Sequence, residues 1–321
     1  MAGIVVTTKD KVATRVAYGE TLVALGREHS DVVVLDADLA CSTMTEKFAK
    51  EFPERFFNMG IAEQNLIDTG CGFALAGKVP FVSTFAMFAV GKAWEQVRNS
   101  AGHMLANIKI CATHAGISLG EDAATHQILE DLAITRVIPG MTVLIPSDGP
   151  ETEAIIRAAY AYHGPVYVRL GRPALPVIPR EKPVSFEIGK GEWLREGTDA
   201  TIIACGLMVN QARLAALELA EEGLSVGVLN MSSIKPIDQE AILKAARESG
   251  AIVTAEEHNI IGGLGSAVAE VLSEERPTPI VRVGTRDTYG ESGTLDDLLT
   301  KYGLMPSDLK DAVRKVLAKK Q

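Results

Sequence analysis

Apolar positions along this 321-residue chain fall into short β-branched runs set between stretches with helical spacing. Val32 to Leu35, Val79 to Ser83, Ile108 to Thr113, Met141 to Pro146 and Val166 to Leu170 read as strands, with helices between them. Such alternation implies a parallel sheet covered on both faces. The Pro-rich stretch from Pro173 to Pro183 breaks the pattern and reads as an interdomain connection. The alternation then restarts, with strands at Ala200 to Ala204, Ser225 to Asn230, Ile252 to Ala255 and Ile280 to Val283, and helices around Ala212 to Glu221, Gln239 to Glu248 and Ser266 to Ser273. The expected fold class is α/β: a parallel-sheet domain over residues 1–178, a linker over 179–190 and a smaller α/β domain over 191–321.

Composition adds exclusions. With 47% hydrophobic and 23% charged residues the chain buries an ordinary globular core. A net charge of -9 argues against a nucleic-acid partner, because phosphate backbones demand a basic footprint. Basic residues cluster only in the tail from Arg314 to Lys320, so an anionic substrate must be held by a few local Arg and His side chains. Cys41, Cys71, Cys111 and Cys205 lie far apart without metal-site spacing, as expected of free thiols in a reducing compartment, with the cytoplasm the default. Met1 to Lys9 shows no basic region followed by an apolar run, and no later stretch has the length of a membrane span, so neither export nor a membrane partner is expected.

In open α/β sheets ligands sit at the carboxyl ends of strands. The loops expected there are Asp36 to Ser42, the turn into a helix at Gly60-Ile61-Ala62-Glu63-Gln64, Thr84 to Phe88, and His114 to Gln127. Glu63 opens a run of small and apolar residues, where a carboxylate gains from the positive helix end; it could equally be an ordinary first-turn residue. Phe85 and Phe88 are either core packing or a stacking surface for a flat heterocycle. The loop from Thr113 to Gln127 concentrates two of the six histidines, two carboxylates and two glycines. Helix capping by Asp122 and Thr125 would explain two of these residues and leave the histidines idle. Ile261 to Ser266 lacks the GxGxxG spacing and reads as a structural turn, and Glu256, Glu257 and His258 before it belong at an interface.

Gly60-Ile61-Ala62-Glu63-Gln64, Ser83-Thr84-Phe85 and Gly120-Glu121-Asp122-Ala123-Ala124-Thr125-His126-Gln127 resemble, in this order, the pyrimidine-binding domain of transketolases. The similarity extends to Ala13-Thr14-Arg15, to Ala37-Asp38-Leu39-Ala40-Cys41-Ser42 and to Gly171-Arg172-Pro173, and the second domain resembles the transketolase C-terminal domain. The resemblance implies a thiamine-diphosphate enzyme moving a two-carbon ketol unit from a ketose phosphate to an aldose phosphate. Glu63 would then bond the coenzyme's pyrimidine N1′ and promote its activation, Phe85 would stack on that ring with Phe88 beside it, and Asp38 would join the cofactor pocket. Asp122 and His126 would act on substrate hydroxyls, while Arg15, Ser42, His114 and Arg172 would form the phosphate-binding set.

Three departures accompany the resemblance. A tyrosine usual after the second phenylalanine is replaced by Ala89-Val90-Gly91-Lys92. Cys41 stands where proline is common, and a small buried residue is expected there rather than a reactive thiol. The sequence also contains no Gly-Asp-Gly, the segment that holds the coenzyme's Mg²⁺ and diphosphate in these enzymes. The expectation is therefore the C-terminal subunit of a split transketolase, with no metal ligands of its own. Its partner would carry the Gly-Asp-Gly segment, in a heterotetramer of two plus two. The alternatives are half of another thiamine-diphosphate enzyme, such as a 2-oxo-acid dehydrogenase β subunit or a deoxyxylulose-phosphate synthase relative, and a non-catalytic scaffold.

Overall fold

The structure is a computed structural model that describes residues 10–180 and 182–320. The N-terminal residues 1–9, on which the expectation about export rests, lie outside the described residues. The first domain is built on a seven-stranded sheet. Its strands run in the order Ser233–Lys235, Thr142–Leu144, Val166–Arg169, Lys109–Ala112, Val79–Ser83, Val32–Asp36 and Phe56–Asn58. All pair in parallel except Ser233–Lys235, which the second domain lends to the edge. Val32–Asp36 and Val79–Ser83 are buried at every position, as a sheet covered on both faces requires.

Parallel pairing fixes where the chemistry can sit. Asp36 lies opposite both Ser83 and Asn58, Ala112 lies opposite Arg169, and Phe85 bridges to Thr113. The loops that follow these strands therefore emerge along one edge of the sheet. A short antiparallel pair, Lys11–Ala13 with Ala174–Pro176, ties the chain's start to the end of this domain. Part of the Pro-rich connection is thus a strand. Its far end is anchored too: Arg180 donates to Asp148 at 2.6 Å and to Glu192 at 2.8 Å.

The second domain holds a five-stranded sheet in the order Ile280–Thr285, Ile252–Asn259, Ala200–Ala204, Val226–Asn230 and Glu192–Arg195, the last antiparallel. Glu256, Glu257 and His258 are buried on one of its strands; Glu257 and His258 face the first domain, at an interface as expected, while Glu256 turns back into the second domain. Arg169 donates to Asp131 at 2.7 Å and to the Glu257 carbonyl at 2.9 Å. Glu151, in the first turn of helix Gly149–Ala161, accepts from Ser232 at 2.5 Å and from Asn230 at 2.8 Å. No described helix is long and apolar enough to cross a membrane.

Candidate active site

Glu63 is the first residue of helix Glu63–Leu75, which has no side-chain cap, and is almost fully buried. Its Oε2 accepts from Lys92 Nζ at 2.5 Å. None of the described residues donates to Oε1. Lys92 closes the helical turn Met87–Lys92, the segment in which the family's tyrosine is missing, so an ammonium reaches the carboxylate from there. Sequence reasoning missed this pair, whose partners are 29 residues apart with no motif joining them.

The same turn carries Phe88. Phe85, just before it, is buried and lies nearly parallel to Phe88, with centroids 6.0 Å apart and planes at 13°. His114 stacks on Phe85 at 3.9 Å, and His126 meets Phe88 edge-on at 5.4 Å. A buried carboxylate with one oxygen unclaimed, tied to a segment of aromatic rings, fits a flat heterocycle that carries a ring nitrogen.

Beside the rings lies a cationic corner. Thr14 holds Gly171 through both backbone groups, its Oγ1 accepting from Gly171 N at 2.8 Å and donating to Gly171 O at 3.3 Å. That brace brings the start of helix Thr14–Glu28 against the Gly171-Arg172 turn, so Arg15 donates to the Arg172 carbonyl at 3.3 Å and to the Ser42 carbonyl at 2.7 Å. Arg172 donates to the Leu119 carbonyl at 2.6 Å and has Glu121 at 3.6 Å, while Arg15 forms no ion pair among the described residues. Burial and the Arg172 charge lower the Arg15 pKa. Burial, then Arg15 and Arg172, push His114 down to about 3, and its Nδ1 shares a 2.8 Å hydrogen bond with Thr113. Cations this close, with only the exposed Glu121 beside Arg172, favour an anion between them.

Asp122 is exposed, and His126 is half-buried with its Nδ1 on Thr125 at 2.9 Å. Neither Asp122 nor Thr125 caps a helix: the next one, Asp131–Arg136, starts from Glu130 without a side-chain cap. Asp38 is exposed and bonded to Asn58 at 3.0 Å. Asp38, His114 and Ala123 have φ of 63°, 60° and 64°, a conformation that is uncommon without glycine and that clusters at functional loops. Cys41 corrects the expectation of a small buried residue: it is exposed, because it falls on the outer side of the short turn Ala40–Thr43 whose inner residue is Thr43. The turn at Ile261 to Ser266 is structural, as expected. Glu256 accepts from the Leu264 and Gly265 amides at 2.7 and 2.8 Å and so fills the helix N-terminus itself. Among the described residues no group of three or more His, Cys, Asp or Glu side chains could hold a metal ion.

Residues 10–177 match the model of the transketolase pyrimidine-binding domain, and residues 189–309 match that of the transketolase C-terminal domain. A Methanocaldococcus jannaschii protein named as a transketolase C-terminal section is 51% identical over 292 residues, 90% of this chain and 92% of that one. A 6-deoxy-6-sulfo-D-fructose transketolase subunit from a Clostridium species is 41% identical over 307 residues, 95% of each. A solved chain described as a split-gene transketolase, inactive β4 tetramer, superposes with a TM-score of 0.91 at 53% identity, covering 97% of this chain and 100% of that one.

The depressed pKa of His114 sets a pH dependence. Between the unfolded value near 6.5 and about 3 the unfolded chain binds a proton that the folded chain refuses, so stability falls as pH drops through that window. His114→Gln is expected to flatten the part of the stability profile below pH ~6.5. Denaturant midpoints measured from pH 7 down to pH 4 check this; an unchanged slope in the variant would show that His114 protonates freely in the fold.

Proposed function

Because the chain belongs to the transketolase family, we propose that it is the C-terminal subunit of a two-chain, thiamine-diphosphate-dependent transketolase that moves a ketol unit from a ketose phosphate to an aldose phosphate. The observation that carries this reading is the buried Glu63, held by Lys92 on one oxygen, beside the near-parallel rings of Phe85 and Phe88. Relatives of matching length bear the names of a section and a subunit, which supports a division of the site between two chains. Mg²⁺ and the coenzyme's diphosphate would be held by the partner.

Thiamine diphosphate, when bound, supplies the nucleophilic carbon for breaking and remaking the carbon–carbon bond. Glu63 shares a proton with the pyrimidine ring nitrogen through Oε1, while Lys92 on Oε2 fixes the carboxylate's orientation. Phe85 and Phe88 provide the aromatic wall. Asp38, its carboxylate bonded by Asn58, would join the coenzyme pocket. His126, with Nδ1 occupied by Thr125, presents Nε2 to substrate hydroxyls, and Asp122 recognises the donor's C2 hydroxyl. Neutral His114 joins Arg15, Arg172 and Ser42 in binding the phosphate.

Three variants separate these roles. Glu63→Ala is expected to lower ketol transfer by the assembled enzyme by about 10²- to 10⁴-fold, the usual worth of acid–base help, with the circular dichroism spectrum unchanged. Arg15→Ala or Arg172→Ala is expected to raise KM for phosphorylated sugars and leave hydroxypyruvate or glycolaldehyde nearly unaffected. An equal loss on both substrate types would make the arginines structural.

The deciding test is reconstitution. The lone chain, assayed with coenzyme and Mg²⁺, is expected to be inactive and self-associated; a 53%-identical relative is described as an inactive β4 tetramer. Adding a chain that carries a Gly-Asp-Gly segment is expected to restore transfer in a two-plus-two complex by light scattering, since each site needs one copy of both chains. Full activity of the lone chain would overturn the split-enzyme reading.

A further inference from the structure

The loop that carries His114, Asp122 and His126 belongs to the first domain by sequence and to the second by packing. Ile117, in its 3₁₀ turn Ile117–Leu119, is fully buried within the same apolar cluster as Leu298, Val283 and Leu309, the core of the second domain, and Leu129 at the loop's end lies there too. Three hydrogen bonds reinforce that burial. Glu257 Oε1 accepts from the Ser118 amide at 2.6 Å. Ser292 Oγ donates to the Glu121 carbonyl at 2.7 Å, one residue before Asp122. Gln127, one residue after His126, donates to the Glu291 carbonyl at 3.0 Å and, back across the loop, to the Ile117 carbonyl at 3.1 Å.

The fit leaves no slack at the glycines. A Cβ on Gly116 would stand 2.3 Å from Glu257 Oε1, and one on Gly290 would stand 1.9 Å from Gln127 Oε1. Gly116 is also held at φ 81°, so the backbone must pass close to both domains there. Among the described residues, Glu257, Glu291 and Ser292 make no hydrogen bond or ion pair with Glu63 or Arg15.

We propose that Glu257 and Ser292 are positioning residues, through which the second domain clamps the His114–Gln127 loop in register with the coenzyme and phosphate sites. Glu257 also stands 3.9 Å from Arg169, whereas Ser292 bonds the loop without meeting that ion pair. Glu257 fixes the loop's first half, next to Arg172's acceptor Leu119, and the Glu291-Ser292 segment fixes its second half on either side of Asp122 and His126. A displacement of about 1 Å at a reacting group can cost 10²-fold in rate, so such a brace matters without touching substrate. The inference rests on the transfer reading for its catalytic consequence and on geometry alone for the brace.

The test uses Glu257→Ala, Glu257→Gln and the exposed Ser292→Ala. In the lone chain, hydrogen exchange of amides 116–127 is expected to rise about tenfold in Glu257→Ala and in Ser292→Ala, the equivalent of roughly one hydrogen bond, with helix Glu63–Leu75 unchanged. Glu257→Gln keeps an acceptor for the Ser118 amide and is expected to restore protection. In the assembled enzyme both alanine variants are expected to lose kcat while the coenzyme concentration for half-maximal activity stays the same. Unaltered loop exchange in both alanine variants, or a rise that spreads equally to helix Glu63–Leu75, would overturn the clamp. If Glu257→Ala does not fold, Ser292→Ala decides alone. Exchange needs no coenzyme or partner, so a wild-type mixture without ketol transfer would sink the functional reading and leave the clamp to be judged separately.

Discussion

A guanidinium buried where the two domains meet is the constraint on which the rest of the arrangement turns. Arg169 is nearly out of contact with water, which by itself would lower its pKa, and the adjacent charges of Asp131 and Glu257 more than offset that and raise it. Its place in the chain is what matters. It ends a strand of the first sheet two residues before Gly171, its ion-pair partner Asp131 begins the helix after the His114–Gln127 loop, and Glu257 comes from the second domain. Removing one member of a buried pair of this kind costs about 3–5 kcal/mol, because the charge left behind has no water to return to. The loop, the Gly171-Arg172 turn and the second domain therefore share one electrostatic joint.

The parts of this design readable in the sequence are those written in local pattern. Every long strand announced itself as a β-branched run, and the parallel arrangement then dictated that Asp36, Ser83, Ala112 and Arg169 would end along one edge. Glu63 at a helix start and the histidine-rich loop could be singled out by the same route, with the resemblance to transketolases assigning them roles. Five strands of three or four residues could not: Lys11–Ala13, Phe56–Asn58, Ala174–Pro176, Glu192–Arg195 and Ser233–Lys235 are too short to show a period. Ser233–Lys235 also crosses to the other domain's sheet, a pairing decided by packing and not by propensity.

The same limit explains the site residues that were missed or misread. Lys92 meets Glu63 across 29 residues, and the only trace of it in the sequence was the absence of an expected tyrosine. Cys41 was expected inside on composition, since cysteine is usually buried, yet in a turn of four residues burial is settled by which side of the turn faces the sheet, and there Thr43 wins by donating to Asp36 at 2.7 Å. Glu257 was rightly placed at an interface, but nothing local reveals that the amide it holds belongs to Ser118, 139 residues earlier.

An acidic protein proposed to bind a phosphate must keep its own carboxylates away from the cations assigned to it. Two places in this fold show the opposite solutions. At the turn before helix Leu264–Glu275 the free amides of Leu264 and Gly265 would attract an anion, but Glu256 from the neighbouring strand already occupies them; burial outweighs the two amides, which favour the charged form, and leaves its pKa raised to about 7, and the site is closed. At the other place, the corner around Arg15, no ion pair with a described carboxylate holds that arginine, and Asp36 at the end of its strand is already engaged by Thr43, Thr45 and the Leu39 amide. Arg15 is left with carbonyl oxygens, which satisfy its N–H groups without neutralising its charge. Arg172 has only the exposed Glu121 at 3.6 Å, a contact that water screens. The cationic corner is thus lined by carbonyl oxygens and one exposed carboxylate, which leaves its charge available to an anion.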